Sequence, residues 1–136
     1  MYRPWIINTY NIGNVNASKN AGGILGFVGW NEAHLENCYN AGNVSGSIIG
    51  GILGGSNISG ELFVTKNVRF LNTTAVKGIG QNLDESAEDI KAITDQELKS
   101  KNVLELFNTY VQENQSIEGI ELKRWTKPEN GYLNFN

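Results

Sequence analysis

At 136 residues and a formal net charge of −3, the chain has room for one modest core and offers no electrostatic case for nucleic acid or an anionic membrane as partner. Charged residues make up only 18%, below the roughly 25% of ordinary soluble domains, and the polarity comes instead from Asn, Ser, Thr and 16 glycines. The single Cys38 excludes an internal disulfide, so packing and backbone hydrogen bonding must hold the fold.

The first residues, Met1 to Asn8, lack the charged and long apolar regions of a signal peptide. The longest apolar-plus-glycine run, Gly46 to Gly55, falls short of the ~20 residues that span a bilayer. No membrane span is expected, and a signal and anchor are expected outside this fragment. Composition then shifts along the chain. Residues 1–60 carry 12 of the 16 glycines and no Asp, whereas residues 61–136 hold nine basic and twelve acidic residues, 9 − 12 = −3, the whole net charge.

The strongest signal is an internal repeat. Asn8-Thr9-Tyr10-Asn11-Ile12-Gly13-Asn14-Val15 recurs as Asn37-Cys38-Tyr39-Asn40-Ala41-Gly42-Asn43-Val44, and Gly22-Gly23-Ile24-Leu25-Gly26 recurs as Gly50-Gly51-Ile52-Leu53-Gly54. Treating Lys19 as a one-residue insertion joins the two matches, and 12 of 19 aligned pairs between Ile7–Gly26 and Glu36–Gly54 are identical. A decayed third copy runs through Asn67-Val68-Arg69-Phe70-Leu71 and Gly78-Ile79-Gly80, and the period ends near residue 80.

Each copy contains short apolar runs broken by Asn and Gly, too often for helices of useful length. Short strands joined by corners are expected, with Gly and Asn supplying the positive φ that tight corners need. Stacked copies would set Tyr10 over Tyr39, Val15 over Val44 and Ile24-Leu25 over Ile52-Leu53, burying a column that no single copy could bury. Aligned asparagines would form hydrogen-bonded ladders. The expected fold is therefore mostly β: a β-solenoid, parallel β-helix-like, with coils of about 28–29 residues, over residues 1–80, followed by a small α+β capping region over residues 81–136.

Gly23-Ile24-Leu25-Gly26 and Gly51-Ile52-Leu53-Gly54 resemble the GLUG motif, glycine–hydrophobic–hydrophobic–glycine. Asn37 to Val44 is similar to the Asn-Cys-Tyr-Asn-x-Gly-Asn-Val segment that accompanies it in bacterial surface proteins, among them adhesin-like proteins and immunoglobulin A-cleaving metalloendopeptidases that carry it outside the catalytic domain. The resemblance covers residues 6–80. A fainter likeness to the terminal segment of such arrays runs through Thr94-Asp95-Gln96-Glu97-Leu98 and Asn130-Gly131-Tyr132-Leu133, where Leu133 stands in place of the usual Pro. It implies a bacterial extracellular or cell-surface location, as the C-terminal end of a repeat array, and carries over no catalytic residues.

In the C-terminal part, Thr94-Asp95-Gln96-Glu97 reads as a capping box opening a short helix. Ser100 can cap a second, in which Val103, Leu104, Phe107, Tyr110 and Val111 form one apolar face. Such a helix is expected as a lid over the last coil, since open repeat ends need covering. Ile120 to Trp125 alternates crudely, and Tyr132 to Phe135 reads as a final strand pairing back as a hairpin across the Thr126–Gly131 turn. Trp125, Tyr132 and Phe135 are expected to be core.

Sharper chemistry finds little support. His34 and Cys38 sit four apart, but zinc needs three or four ligands and the chain has no other His or Cys. Thr9 and Val68 occupy the positions equivalent to Cys38, which marks a small-residue packing slot. The repetitive part holds only Glu32 and Glu36 as carboxylates, too few for the chemistry of β-helical lyases and hydrolases. Asp84, Glu85, Glu88 and Asp89 form the one dense acidic run, without an EF-hand layout. A non-enzymatic module without cofactor or metal is expected. It would act as a structural or adhesive stalk giving rigid display or, alternatively, as a recognition module for a host glycan or protein through Trp5, Trp30 and Tyr39. Its partners would be upstream repeats of the same chain, and the open N-terminal coil would favour end-to-end self-association.

Overall fold

The computed structural model describes residues 4–29, 32–57, 63–82 and 89–135. The chain falls into two compact units, Met1–Ile93 and Thr94–Asn136. No helix among the described residues is long and apolar enough to cross a membrane.

Among the described residues, the regular elements of the first unit are all β-strands. In chain order it forms β1 (Trp5–Ile7), β2 (Tyr10–Asn11), β3 (Val15–Asn16), β4 (Asn20–Gly22), β5 (Leu25–Val28), β6 (Ala33–Asn40), β7 (Val44–Ser45), β8 (Ile48–Gly50), β9 (Leu53–Ser56), β10 (Phe63–Leu71), β11 (Ile79–Asn82) and β12 (Ile90–Ile93). Successive copies pair in parallel, as the repeat predicts: Tyr10 with Tyr39, Val15 with Val44, Leu25 with Leu53 and Cys38 with Val68. The offset falls from 29 at Asn16–Ser45 to 28 at Asn20–Ile48, and Lys19 absorbs the difference. Its carbonyl accepts from both Ser47 and Ile48 N–H at 3.1 and 3.0 Å.

The β-solenoid expected from the repeat is not what forms. The strands sort into separate small sheets: one of five strands (β1-β6-β10-β12, with β2 also on β6), one of three (β11-β9-β5), and the pairs β3-β7 and β4-β8. The reason lies in the lengths. Asn and Gly break the first copy into strands of two to four residues. The β3-β7 and β4-β8 ladders stop after two strands because the third copy has lost the matching residues. Mostly β is right, and the solenoid is corrected to these discrete parallel sheets.

One cluster of buried side chains draws on the five- and three-stranded sheets together: Leu35, Cys38, Phe63, Val68 and Phe70 from β6 and β10, Val28 and Leu53 from β5 and β9. Along β6, Ala33 and Leu35 are buried while His34 and Glu36 between them are half-buried, the period-2 alternation of a sheet with one covered face. Asn37 then takes φ 58° and resets that phase. Asn8 at φ 55° and Asn67 at φ 53° do the same in their copies.

The carboxamides of these three residues form a column: Asn37 Nδ2 donates to Asn8 Oδ1 at 2.9 Å and Asn67 Nδ2 to Asn37 Oδ1 at 3.4 Å. Asn reaches the left-handed region more cheaply than most residues, and its amide both donates and accepts, so one residue type serves corner and ladder together. A fourth strand continues the stack beyond the end of the sequence period. β12 pairs with β10 at Val68–Ile90 through Leu71–Ile93, and Asp89 stands next to the column, its Oδ2 accepting from Asn67 N–H at 2.8 Å.

The second unit opens as the sequence indicates. Thr94 caps α1 (Asp95–Leu98) with both arms of the capping box in place, and Ser100 caps α2 (Lys101–Asn114) by accepting from Val103 N–H. Val103, Phe107, Tyr110 and Val111 are buried, as is Asn108. Asn108 grips the backbone of Trp125 in both directions, Nδ2 to Trp125 O at 3.0 Å and Oδ1 from Trp125 N–H at 2.8 Å. Trp125 packs against Phe107 and Phe135, with ring centroids 5.2 and 4.2 Å away.

The expected strand from Ile120 to Trp125 shrinks to β14 (Ile120–Glu121), which pairs with β13 (Ser116–Ile117). Glu118 and Gly119, at φ 50° and 81°, make the turn, the paired positive φ of a two-residue hairpin loop. Asn108 holds Trp125 by its own backbone groups, so that segment has no ladder to join. The final pairing survives as a single antiparallel bridge, Thr126–Asn134.

Candidate functional site

The residues singled out from sequence are scattered. Tyr39 is fully buried in a stack with Tyr10, ring centroids 5.3 Å apart and planes 12° from parallel, so it presents no face to a ligand. Trp30 lies outside the described residues. Trp5 is partly exposed at 36% and lies flat on His34, its register partner, at 3.7 Å between centroids and 9° between planes.

His34 is held in turn by two carboxylates of its own segment. Nε2 lies 3.4 Å from Glu32 Oε1 and Nδ1 lies 3.3 Å from Glu36 Oε2. The carboxylates approach opposite ring nitrogens, so the three side chains do not converge on one point, and no group of three or more His, Cys, Asp or Glu among the described residues could hold a metal. Beside this stack is a pocket of about 240 Å³, lined by Pro4, Ile6, Leu25, Phe27, Ala33 and His34 among others. Phe27 is 51% exposed at its rim. It brings aromatic and apolar groups together at the outward edges of β1 and β5.

Cys38 is fully buried, with Sγ 3.1 Å from Glu36 O and 3.6 Å from Ile6 O. Burial pushes its thiol up to about 12, against the opposing pull of hydrogen bonds from the Thr9 and Glu36 backbones. A nucleophilic cysteine needs its thiolate, and this one keeps its proton. Its stabilising contribution is full below the ordinary thiol value of 9.0 and is lost as pH rises from there toward about 12. In the native protein at pH 8, iodoacetamide should leave Cys38 unmodified, and labelling should appear only on denaturation. Cys38→Val should cost less than about 1.5 kcal/mol, because Val68 already fills the paired position.

The glycine motif works through the backbone. Ile24 and Leu25 N–H both donate to Ile52 O at 3.0 Å, and Ile52 and Leu53 N–H both donate to Gly78 O at 3.0 Å. A Cβ on Gly23 would overlap the Asn40 amide, one on Gly51 the Phe70 ring, and one on Gly54 would lie 2.5 Å from Gly26 O, whereas Gly26 faces nothing nearer than Asn20 O at 3.7 Å. None of these glycines has a positive φ. The positive φ falls to the asparagines, and the glycines let neighbouring groups approach closely.

Asp84, Glu85 and Glu88 of the acidic run lie outside the described residues, while Asp89 is bound to Arg69 Nη1 at 3.1 Å. In the second unit, Tyr132 donates its hydroxyl hydrogen bond to Asp95, and Lys99 Nζ lies 3.0 Å from the same carboxylate. The Tyr132 bond first and Lys99 second hold the Asp95 carboxyl below its usual range, and the same bond lifts Tyr132 to about 12. For Asp95 the linked contribution is present above the unfolded aspartate value and is lost as pH falls through the lowered folded one. Tyr132→Phe should therefore move the Asp95 titration upward toward the ordinary aspartate range, read by NMR of its carboxyl carbon.

Comparison with protein-family models, with curated proteins and with solved structures returns no match.

Proposed function

We propose that this chain is a non-catalytic structural module of a bacterial cell-surface or secreted protein, of the GLUG-motif type, giving rigid display to what it carries. The observation that supports this best is how the recurring residues are used. The Asn8–Asn37–Asn67 column, the Tyr10–Tyr39 stack and the Gly-Ile-Leu-Gly corners are all spent on copy-to-copy contact. Repetition that serves packing is what an extended, regular support requires. The motif resemblance, in turn, favours the outside of the cell.

A recognition role for a host glycan or protein finds one specific observation in its favour, the exposed Phe27 in the pocket lining together with Trp5, which stacks on the lining residue His34. Protease shaving of intact cells of the producing bacterium separates location from fold. Release of peptides from this chain without lysis is expected, and full protection until lysis would remove the surface-display role. A glycan and host-protein binding screen with Trp5→Ala as control distinguishes the two roles: specific, Trp5-dependent binding would favour recognition.

A further inference from the structure

The five-stranded sheet ends at β1 and the three-stranded sheet ends at β5, and among the described residues each has a strand neighbour on one side only. Natural sheets blunt such edges with charges, bulges or covering segments. Here Trp5-Ile6-Ile7 and Leu25-Gly26-Phe27-Val28 carry no charge. The apolar pocket lies between the two edges, with Ile6, Leu25 and Phe27 in its lining.

One layer down, the same place is occupied. Ile6 pairs with Leu35 and Leu35 with Thr65, while Leu25 pairs with Leu53 and Leu53 with Ile79. Each inner strand thus has its branched side chain covered by the strand laid on it, and among the described residues no strand is laid on Ile6. Two residues after each of Ile6, Leu35 and Thr65 comes an asparagine in the left-handed conformation, Asn8, Asn37 and Asn67. Any strand following this edge must bend at that point too.

We propose that the outward edges of β1 and β5, with the pocket between them, form a docking surface for an extended strand of another polypeptide bearing an aliphatic-x-Asn spacing, added in parallel register. The backbone groups of the edge give affinity, as in other strand additions. The aliphatic residue, in register with Ile6, fills the pocket, and the asparagine lets the incoming chain turn where the edge turns. This rests on the strand pairing rather than on surface display, so either can fail alone.

The test is NMR titration of the ¹⁵N-labelled full chain with a synthetic peptide of the Trp5–Gly29 sequence. Saturable shifts are expected at the amides of Trp5–Ile7 and Leu25–Val28, with a dissociation constant of about 1 mM or tighter. A control peptide with Lys for its Ile6 and Val for its Asn8 should produce none of them. Ile6→Lys in the protein, checked as folded by circular dichroism, should abolish binding of the parent peptide. Shifts absent from both edges, equal shifts with the control peptide, or undiminished binding to the folded Ile6→Lys protein would each overturn the proposal.

Discussion

Gly50→Ala should destabilise the first unit by about 3 kcal/mol or more, enough to unfold a marginal domain. Gly50 pairs with Gly22 across β4 and β8. A Cβ there would overlap Leu53 O and approach Gly78 O and Gly80 N to 2.7 Å each. Every one of those atoms is backbone, and Gly78 O accepts from Ile52 and Leu53 N–H at 3.0 Å, so none can swing aside as a side chain would. Gly26→Ala is the matched control. Its nearest obstacle is 3.7 Å away and its φ is not positive, so its cost should stay within the ~1 kcal/mol typical of a mild substitution. Urea denaturation of the two variants should separate them by their midpoints at similar slopes.

Asn40→Leu should cost about 3–5 kcal/mol although it keeps the branched heavy-atom shape of the side chain. The Asn40 side chain is fully buried and makes four hydrogen bonds: Nδ2 to Gly42 O and Gly51 O at 3.0 and 2.8 Å, Oδ1 from Gly42 N–H at 3.0 Å and from Asn11 Nδ2 at 2.9 Å. Leucine would strand several buried donors and acceptors at once, which is far costlier than losing the bonds in pairs. Phe70 sits in the paired position of the third copy, so an apolar residue is tolerated where the surrounding carbonyls are differently placed. The cost at Asn40 is therefore one of unpaired polar groups. Asn40→Asp would test this from the other side, since a carboxylate lacks the donor that Gly42 O and Gly51 O need.

Much of the pairing was legible because the repeat is literal. Identical residues at one offset had to be neighbours, and the Lys19 insertion shows up as one carbonyl shared by two amides. The roles of the breakers were legible only in part. Positive φ was expected of Gly and Asn alike, and the structure divides the labour, since overlap of a hypothetical Cβ with a distant backbone is invisible in sequence. β12 was missed because its offset from β10, 22 residues at Val68–Ile90, departs from the period and only Ile90 and Ile93 echo the apolar pattern. The solenoid was over-read: recurrence announces neighbours, but the number of strands in each ladder depends on how far the third copy keeps matching residues. At the candidate site, the register of Asn8 over Asn37, carried three residues back, sets Trp5 over His34. The pocket beside it draws on β1, β5 and β6 at once, and no local pattern encodes that meeting. In the second unit the caps and apolar face of α2 were readable from spacing, while Asn108 was not, because an asparagine within an apolar helical face carries no mark of the backbone it will bind.

Copies of the repeat lie against one another in parallel register, joined by side-chain columns, and a nuclear Overhauser experiment on the folded chain reads that arrangement most directly. Tyr10 and Tyr39 rings stack at 5.3 Å, and Val15 pairs with Val44. Cross-peaks should therefore link the Tyr10 and Tyr39 ring protons and the Val15 and Val44 backbone and methyl protons, 29 residues apart in each case, and the Nδ2 protons of Asn37 should show contact with Asn8. Absence of these cross-peaks in a folded sample, or contacts placing Tyr10 beside residues outside the Tyr39 register, would contradict this parallel stacking of the copies.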